Sequence, residues 1–276
     1  MSFMVNHTTI RDRVRNLFAF AVRATFDVAV NSRLRRLTAV AMESIDDGYR
    51  ISTRHGTLKI GISNSFERWR AETLLDKEPE TIAWLDRTID PSSVLYDVGA
   101  NIGIYSLYAL HLSSTTRVVA FEPESLNYAR LNLNIHRNDW TDRAIAFGVG
   151  LGSANEVVKF RLSKLEAGHA MHGDNIQPGK EDFQQGCVIA KLDDFLDAHI
   201  ALPAPTHLKI DVDGPELDIL LGAQKCLRSP QLRHILIEME ENNKARGLQM
   251  LEAAGFELVE TGPTVNGMGN LILRKS

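Results

Sequence analysis

The sequence has few cysteines and no long apolar run, which argues against a disulfide-rich, zinc-binding or membrane-spanning protein. The two cysteines among 276 residues, Cys187 and Cys226, cannot build a disulfide framework and match no zinc-binding spacing. No stretch approaches the roughly 18 consecutive apolar residues that span a membrane, and the best early segment, residues 17–22, ends at Arg23. A secretory signal needs a longer apolar core than this. We therefore expect a soluble protein of the cytoplasm.

The sequence also lacks an overall excess of positive charge. The net charge is −4 and the pI is about 6.1, so no basic field points to nucleic acid as a partner. Residues 1–40 differ from the rest, because they carry seven arginines and two aspartates, a net charge of +5 against −9 for the remainder.

The basic N-terminal residues have apolar positions at helical spacing, which predicts an amphipathic helical extension over residues 1–48. Two interpretations stay open. The extension could make a peripheral contact with an anionic membrane surface or an acidic partner. Alternatively, it packs on the main domain or on a second subunit with its arginines in water.

Residues 49–93 are predicted to lead into the main domain. Residues 49–53 and 57–61 alternate on either side of His55-Gly56, which is typical of a β-hairpin. A helical pattern follows over residues 66–88, and Pro79 is suited to the first turn of a helix.

From residue 94 the pattern changes to alternating strands and helices, which predicts one domain over residues 94–276. The fold class is α/β, a Rossmann-like, mostly parallel seven-stranded sheet with helices on both faces. Ligands bind such sheets beyond the carboxyl ends of the strands. The predicted strands cover residues 94–98, 117–121, 144–149, 207–210, 234–237, 256–259 and 270–273.

The first strand of this domain ends in Asp97-Val-Gly-Ala-Asn-Ile-Gly103. The glycine spacing differs from the dinucleotide fingerprint and matches the Asp-x-Gly-x-x-x-Gly loop of class I S-adenosylmethionine methyltransferases. Gly99 permits a sharp turn and Gly103 lets the helix start pass close to a ligand. Asp97 offers a carboxylate to an ammonium group, and the helix N-terminus suits a carboxylate. S-adenosyl-L-methionine carries both groups.

The second strand ends in Glu122-Pro123, 19 positions beyond Gly103. An acidic residue there accepts hydrogen bonds from ribose hydroxyls, in nicotinamide enzymes as well as in methyltransferases. Glu122 therefore indicates nucleoside binding, and the glycine spacing selects the cofactor.

Three ordered blocks make the chain resemble FkbM-family methyltransferases: Asp97 to Ser106, Ala120 to Pro123, and Leu208-Lys-Ile-Asp-Val-Asp-Gly-Pro-Glu-Leu217. Lys77-Glu-Pro-Glu-Thr81 resembles a further upstream block. The chain departs from the family pattern at Gly148-Val-Gly, where no adenine-contacting acid is visible, so backbone groups near Gly148 are expected to hold the base. The resemblance implies an S-adenosyl-L-methionine site formed by Glu78, Asp97, Gly99, Ala100, Asn101, Gly103, Ser106, Glu122, Pro123, Gly148 and Asp211.

Carboxylates at the ends of the fourth and fifth strands are the candidate catalytic groups. Methyl transfer to an alcohol requires positioning and loss of the hydroxyl proton. Asp211, Asp213 and Glu238 are placed to converge on the cleft, as base or substrate clamp. In the alternative interpretation Asp213 caps the next helix and Asp211 only orients the cofactor. His172, within a polar connection over residues 162–186, would be a base if that loop folds over the cleft, and otherwise a solvated surface histidine. No metal site is predicted.

The sequence thus predicts an S-adenosylmethionine-dependent methyltransferase acting on a hydroxyl of a small-molecule, glycan or lipid-linked acceptor. Three alternatives stay open: an N- or carboxyl-methyltransferase on the same fold, a nucleoside-binding module without turnover, and a nicotinamide oxidoreductase, which Asn101 disfavours.

Overall fold

The computed structural model describes residues 48–162, 167–168, 183–198 and 201–276. Gly48–Ser276 forms one compact unit. The predicted basic extension covers residues 1–48, of which only Gly48 is among the described residues. The membrane or subunit contacts expected of that extension therefore also lie outside the described residues. Among the helices that are described, none is long and apolar enough to cross a bilayer.

The chain enters the compact unit through the predicted hairpin. Strands β1 (Tyr49–Thr53) and β2 (Gly56–Ile60) pair antiparallel. Two helices follow, α1 (Ser65–Glu72) and α2 (Pro79–Thr88). Asn64 caps α1 in a capping box with Glu67, and Pro79 opens α2, where its missing N–H costs nothing.

The main sheet has seven strands, which lie in the order β11 (Phe256–Thr261), β12 (Met268–Lys275), β10 (His234–Glu240), β9 (His207–Ile210), β3 (Val94–Val98), β4 (Arg117–Phe121) and β5 (Ala144–Phe147). Only β12 runs opposite to the others, because it pairs antiparallel with both of its neighbours. This confirms the predicted mostly parallel α/β sheet.

Helices cover both faces of this sheet, and each face has its own apolar core. Neighbouring strand residues alternate between the two, so Leu95 belongs to one core and Tyr96 to the other. Each fully buried aliphatic side chain contributes roughly 1.5–3 kcal/mol. The remaining helices are α3 (Ile104–Leu112), α4 (Ser125–Arg137), α5 (Leu192–Asp197), α6 (Glu216–Gly222), α7 (Gln224–Arg228) and α8 (Glu241–Ala253).

A second, three-stranded sheet was not predicted. It consists of β6 (Gly150–Leu151), β7 (Glu156–Leu162) and β8 (Phe183–Ala190), in the order β6-β8-β7. The predicted strand over residues 144–149 stops at Phe147, after which the chain leaves the main sheet, and the predicted polar connection over residues 162–186 includes the start of β8. The alternation of apolar and polar residues does not identify β7, because its apolar residue Val157 is 79% exposed and does not mark a buried face.

Gly99 lies where two neighbouring strands end closest together. Its φ is +79°, and a Cβ built on it would stand 1.9 Å from the Asp211 carbonyl oxygen. The Asp211 amide in turn donates to the Val98 carbonyl at 3.0 Å. Gly99 is therefore required both by its left-handed backbone and by contact with the chain after β9.

We expect Gly99→Ala to lower the free energy of unfolding by at least about 3 kcal/mol, because backbone strain and a backbone clash add. Gly267→Ala is the matched control: φ is +84° there, but among the described residues, chain neighbours aside, no atom lies within 4 Å of the added Cβ. It should cost about 1 kcal/mol, the strain alone. Urea denaturation of both variants measures the difference, and equal losses would contradict the close contact.

Candidate active site

A cavity of about 860 Å³ opens at the carboxyl ends of β3, β4, β9 and β10. This is the edge at which ligands bind open α/β sheets, and the volume is that of a small-molecule site. The second sheet closes one side with Phe160 and Ile189, and the loop after β11 closes another with Val265. One wall is therefore apolar, whereas the strand ends present carboxylates.

Glu122 follows β4 and is buried, with both carboxylate oxygens engaged by the backbone. The amide of Asn101 donates to Oε2 at 2.7 Å and that of Glu124 to Oε1 at 2.8 Å. Burial raises the pKa of Glu122 to about 7 against the opposing effect of these amides. Each oxygen retains a lone pair, so the carboxylate can still accept hydrogen bonds from a diol in the cavity.

The turn from β3 into α3 uses its own amide groups internally. The amides of Gly99 and Ala100 donate to the Phe121 carbonyl, and that of Gly103 donates to the Ala100 carbonyl. The Ile102 amide donates to the Asn101 side chain at 2.9 Å, and the Asn101 amide is held by Glu122. Each of the five amides of residues 99–103 therefore already has an acceptor within the protein, whereas α3 itself begins at Ile104.

Asp97 lies behind the cavity wall, not on it. Its side chain is 1% exposed and accepts a hydrogen bond from the Ser106 hydroxyl at 2.6 Å. The ammonium of Lys209, equally buried, stands 3.9 Å from Asp97 Oδ1. Burial raises the pKa of Asp97, and the Lys209 charge opposes that effect.

Lys209 links this buried aspartate to the cavity. Its Nζ donates to Asp211 Oδ2 at 2.7 Å and lies 4.9 Å from the centre of the Tyr105 ring. Burial alone would lower the pKa of Lys209, but the carboxylates of Asp211 and Asp97 outweigh it and raise the pKa. Lys209 is therefore a charged ammonium inside the protein.

Asp211 and Glu238 form a carboxyl pair on the cavity wall. Burial alone would raise the pKa of Asp211, but the Lys209 ammonium lowers it. The pKa of Glu238 is raised, first by burial and then by the charge of Asp211 and their mutual hydrogen bond. Near neutral pH, Asp211 is thus the ionised partner and Glu238 the protonated one.

Asp213 lines the same cavity from the turn after β9, with a φ of +46°. The alternative in which it caps the next helix is not observed, because Pro215 occupies the N-cap of α6 and no side chain caps it. Instead, the buried Glu216 accepts a hydrogen bond from the Gly214 amide at 2.7 Å.

Some of the predicted cofactor and catalytic residues line the cavity, whereas others lie away from its wall. Gly103 is not among the residues that line the cavity, and a Cβ added to it would stand 2.4 Å from Leu131 Cδ1. Asp97, Ala100, Ser106 and Gly148 also lie off the cavity wall, and the residues next to Gly148 that line it are Val149, Gly150 and Leu151. His172 lies outside the described residues. On the wall are Glu78, Gly99, Asn101, Glu122, Pro123, Asp211, Asp213 and Glu238.

The sequence did not predict the basic residues of the site. Lys209 lies inside a recognised block, but its hydrophobic neighbours gave no sign that a charge would be buried there. Arg70 and Lys77 line the cavity from α1 and from the segment before α2, and no spacing connects them to the strand ends. Within the described ranges, no group of three or more histidine, cysteine, aspartate or glutamate side chains is placed to hold a metal ion.

The family model for the methyltransferase FkbM domain matches residues 97–258. These residues include the carboxyl ends of β3, β4, β9 and β10, and thus most of the cavity wall.

Individual relatives match a similar region. The hexuronic acid methyltransferase AglP of Haloferax volcanii is 29% identical over 174 residues, 63% of this chain and 66% of AglP. The AMB antimetabolite synthetase AmbE of Pseudomonas aeruginosa is 29% identical over 210 residues, 62% of this chain but 10% of AmbE. The 31-O-demethyl-FK506 methyltransferase FkbM of Streptomyces tacrolimicus is 25% identical over 197 residues, 61% of this chain and 74% of that protein. The matched part is therefore just under two thirds of AglP and a small part of AmbE.

The Asp211–Glu238 pair predicts a specific pH dependence of stability. The folded protein holds the Glu238 proton above the ordinary carboxyl pKa of 4.5, so stability is lost as pH rises from that value towards the raised one. Glu238→Gln keeps a hydrogen-bond donor and removes the titration. We expect the melting temperature of Glu238→Gln, relative to the unsubstituted protein, to rise between about pH 5 and about pH 8.

Glu240→Gln, which removes one carboxyl from the same strand and cavity, controls for the loss of charge. A melting-temperature difference for Glu238→Gln that stays constant with pH, or that Glu240→Gln reproduces, would contradict the shared proton.

Proposed function

The chain belongs to the FkbM methyltransferase family, and we propose that it transfers the methyl group of S-adenosyl-L-methionine to a hydroxyl oxygen of a small-molecule, sugar or lipid-linked acceptor. The observation that carries this proposal is the pair of carboxyl groups of Asp211 and Glu238 on the wall of the cavity at the strand ends, with the Lys209 ammonium 2.7 Å from Asp211 Oδ2. The name of the FkbM relative, a 31-O-demethyl-FK506 methyltransferase, supports an oxygen acceptor.

The residues on the cavity wall fit the cofactor. Glu122 would accept the ribose hydroxyls with its remaining lone pairs. The apolar side chains of Leu151, Phe160 and Ile189 would cover the adenine ring. The carboxylate of Glu78 would face the ammonium group and that of Asp211 the sulfonium. When bound, S-adenosylmethionine supplies a methyl group that its sulfonium has already activated for in-line displacement.

The task left to the protein is to hold the acceptor and take its proton. An acceptor hydroxyl beside the Asp211 carboxylate would donate a hydrogen bond to it. As the oxygen acquires the methyl group, its proton passes to the Asp211–Glu238 pair, which is then neutral. Lys209 keeps Asp211 ionised until that transfer, and the surrounding apolar wall excludes water.

A polyhydroxylated acceptor suits the acidic surface of this cavity, since carboxylates accept hydrogen bonds from hydroxyl groups. The name of AglP, a hexuronic acid methyltransferase, supports a sugar as the first acceptor class to test. The acidic walls disfavour a nucleic-acid backbone.

We expect calorimetric titration of the purified protein to detect S-adenosylhomocysteine binding in the micromolar range, with no binding of NAD at matched concentrations. An acidic residue such as Glu122 can bind the ribose of either NAD or S-adenosylmethionine. The titration with NAD therefore tests whether the glycine spacing of residues 97–103 selects S-adenosylmethionine. Binding of neither ligand, or of NAD alone, would overturn the proposed cofactor. A hydroxylated acceptor is then identified by transfer of a labelled methyl group to glycan and lipid-linked acceptors.

We expect Asp211→Asn to lower kcat by at least about 100-fold, the usual contribution of a positioned base, while the Kd of S-adenosylhomocysteine changes less than about 3-fold (roughly 0.7 kcal/mol). Asp218→Asn, on the outer part of α6 where its carboxylate meets Ser153, is the control. Equal losses in kcat and in cofactor affinity would make Asp211 a cofactor ligand without a role in proton transfer.

A further inference from the structure

Two basic side chains line the cavity in the part of the chain that the structure describes, Arg70 and Lys77. Lys77 is already paired: its Nζ lies 2.5 Å from Glu78 Oε1 and 5.8 Å from the centre of the Trp69 ring. Arg70 has no carboxylate partner among the described residues. Its Nε donates to the Gly168 carbonyl oxygen at 2.5 Å, and none of the described residues accepts a hydrogen bond from its two Nη groups.

The Arg70 guanidinium is held through its hydrogen bond to the Gly168 carbonyl oxygen. Gly168 is fixed in turn, because its amide donates to Asn127 Oδ1 on α4 at 2.6 Å. The neighbouring Ala167 carbonyl accepts a hydrogen bond at 2.8 Å from Asn64, the residue that caps α1. Helix α1, helix α4 and the Ala167–Gly168 segment thus form one connected unit, and the guanidinium at its centre is oriented before any ligand arrives.

An anionic group entering this cavity has few places to bind. The amides of residues 99–103, where the sequence pattern placed a carboxylate, all have acceptors within the protein. The strand ends would repel it, because their side chains are acidic. The carboxyl groups on the wall are those of Glu78, Glu80, Glu122, Asp211, Asp213, Glu238 and Glu240.

We propose that Arg70 binds the carboxylate of the cofactor's amino-acid end, with its two Nη groups as donors; this rests on the proposed function. A guanidinium presents parallel N–H donors that match a carboxylate, and such charged pairs are stronger than neutral hydrogen bonds. The position agrees with the cofactor's other contacts, because Arg70 is close enough to Glu122 and to Tyr105, at the start of α3, to lower their pKa values against the larger effect of burial.

The test compares two ligands that differ by one group. S-adenosylmethionine and decarboxylated S-adenosylmethionine share the adenosine, the sulfonium and the ammonium, and only the former has the carboxylate. Calorimetric titration without acceptor gives both Kd values for the unsubstituted protein, Arg70→Gln and Arg70→Lys. Arg68→Gln is the matched control, since Arg68 is on the same helix, is exposed and pairs with Glu72 at 3.6 Å outside the cavity.

We expect the unsubstituted protein to bind S-adenosylmethionine about 10- to 100-fold more tightly than the decarboxylated ligand, the usual size of a hydrogen-bonded charge pair. Arg70→Gln should abolish this preference by weakening the binding of S-adenosylmethionine alone. Arg70→Lys should retain part of the preference, because lysine keeps the positive charge but lacks the paired N–H donors of the guanidinium. Arg68→Gln should retain all of it.

Two outcomes would overturn the assignment while leaving the proposed function intact. If Arg70→Gln weakens both ligands equally, Arg70 acts through the Gly168 contact and the fold. If it weakens neither, the carboxylate is bound elsewhere. By contrast, failure of the unsubstituted protein to bind either ligand would overturn the proposed function, and the assignment with it.

Discussion

The buried charge of Lys209 is the constraint on which the rest of the site depends. An ammonium taken out of water costs several kcal/mol unless opposite charges lie close to it. Two neighbouring positions supply them. Asp97 is the direct partner of Lys209 in the parallel register of β3 and β9, and Asp211 lies two residues further along the chain on the same side. The order of the strands and their register are therefore what allow this lysine to be buried as a cation.

The same lysine determines which carboxyl at the strand ends is ionised. A single continuous set of contacts runs from Ser106 through Asp97 and Lys209 to Asp211, and Glu238 adds the last member from β10. One ammonium between two carboxylates leaves a third carboxyl nearby with little reason to ionise. The proton on Glu238 is thus a consequence of charge balance across three adjacent strands, and it would move if any one of them shifted its register.

Local sequence signals were sufficient for the main sheet and for the motif that turns β3 into α3, because strand periodicity and glycine spacing are encoded within a few residues. Glu122 and Asp211 were found for the same reason, as acidic residues directly after apolar strands. The burial of Lys209 and the position of Arg70 depend on residues far along the chain, at Asp97 and at Gly168, so no local pattern reveals them. The second sheet was not predicted, for two reasons. Its strands β7 and β8 are separated in the sequence by residues 163–182, and Val157 of β7 faces solvent, so β7 lacks the alternation of buried apolar and exposed polar residues.

The distribution of charge around the cavity follows the distribution of charge on the proposed cofactor. S-adenosylmethionine is cationic at its sulfonium and ammonium and anionic at its carboxylate, and the cavity is acidic at the strand ends but basic at Arg70. Loss of the methyl group removes the sulfonium charge, so the acidic wall attracts the product less than the substrate. The carboxylate contact does not change in that step. A guanidinium there would therefore hold both forms equally and contribute to binding, whereas the strand-end carboxylates distinguish substrate from product and are the groups that favour exchange after each turnover.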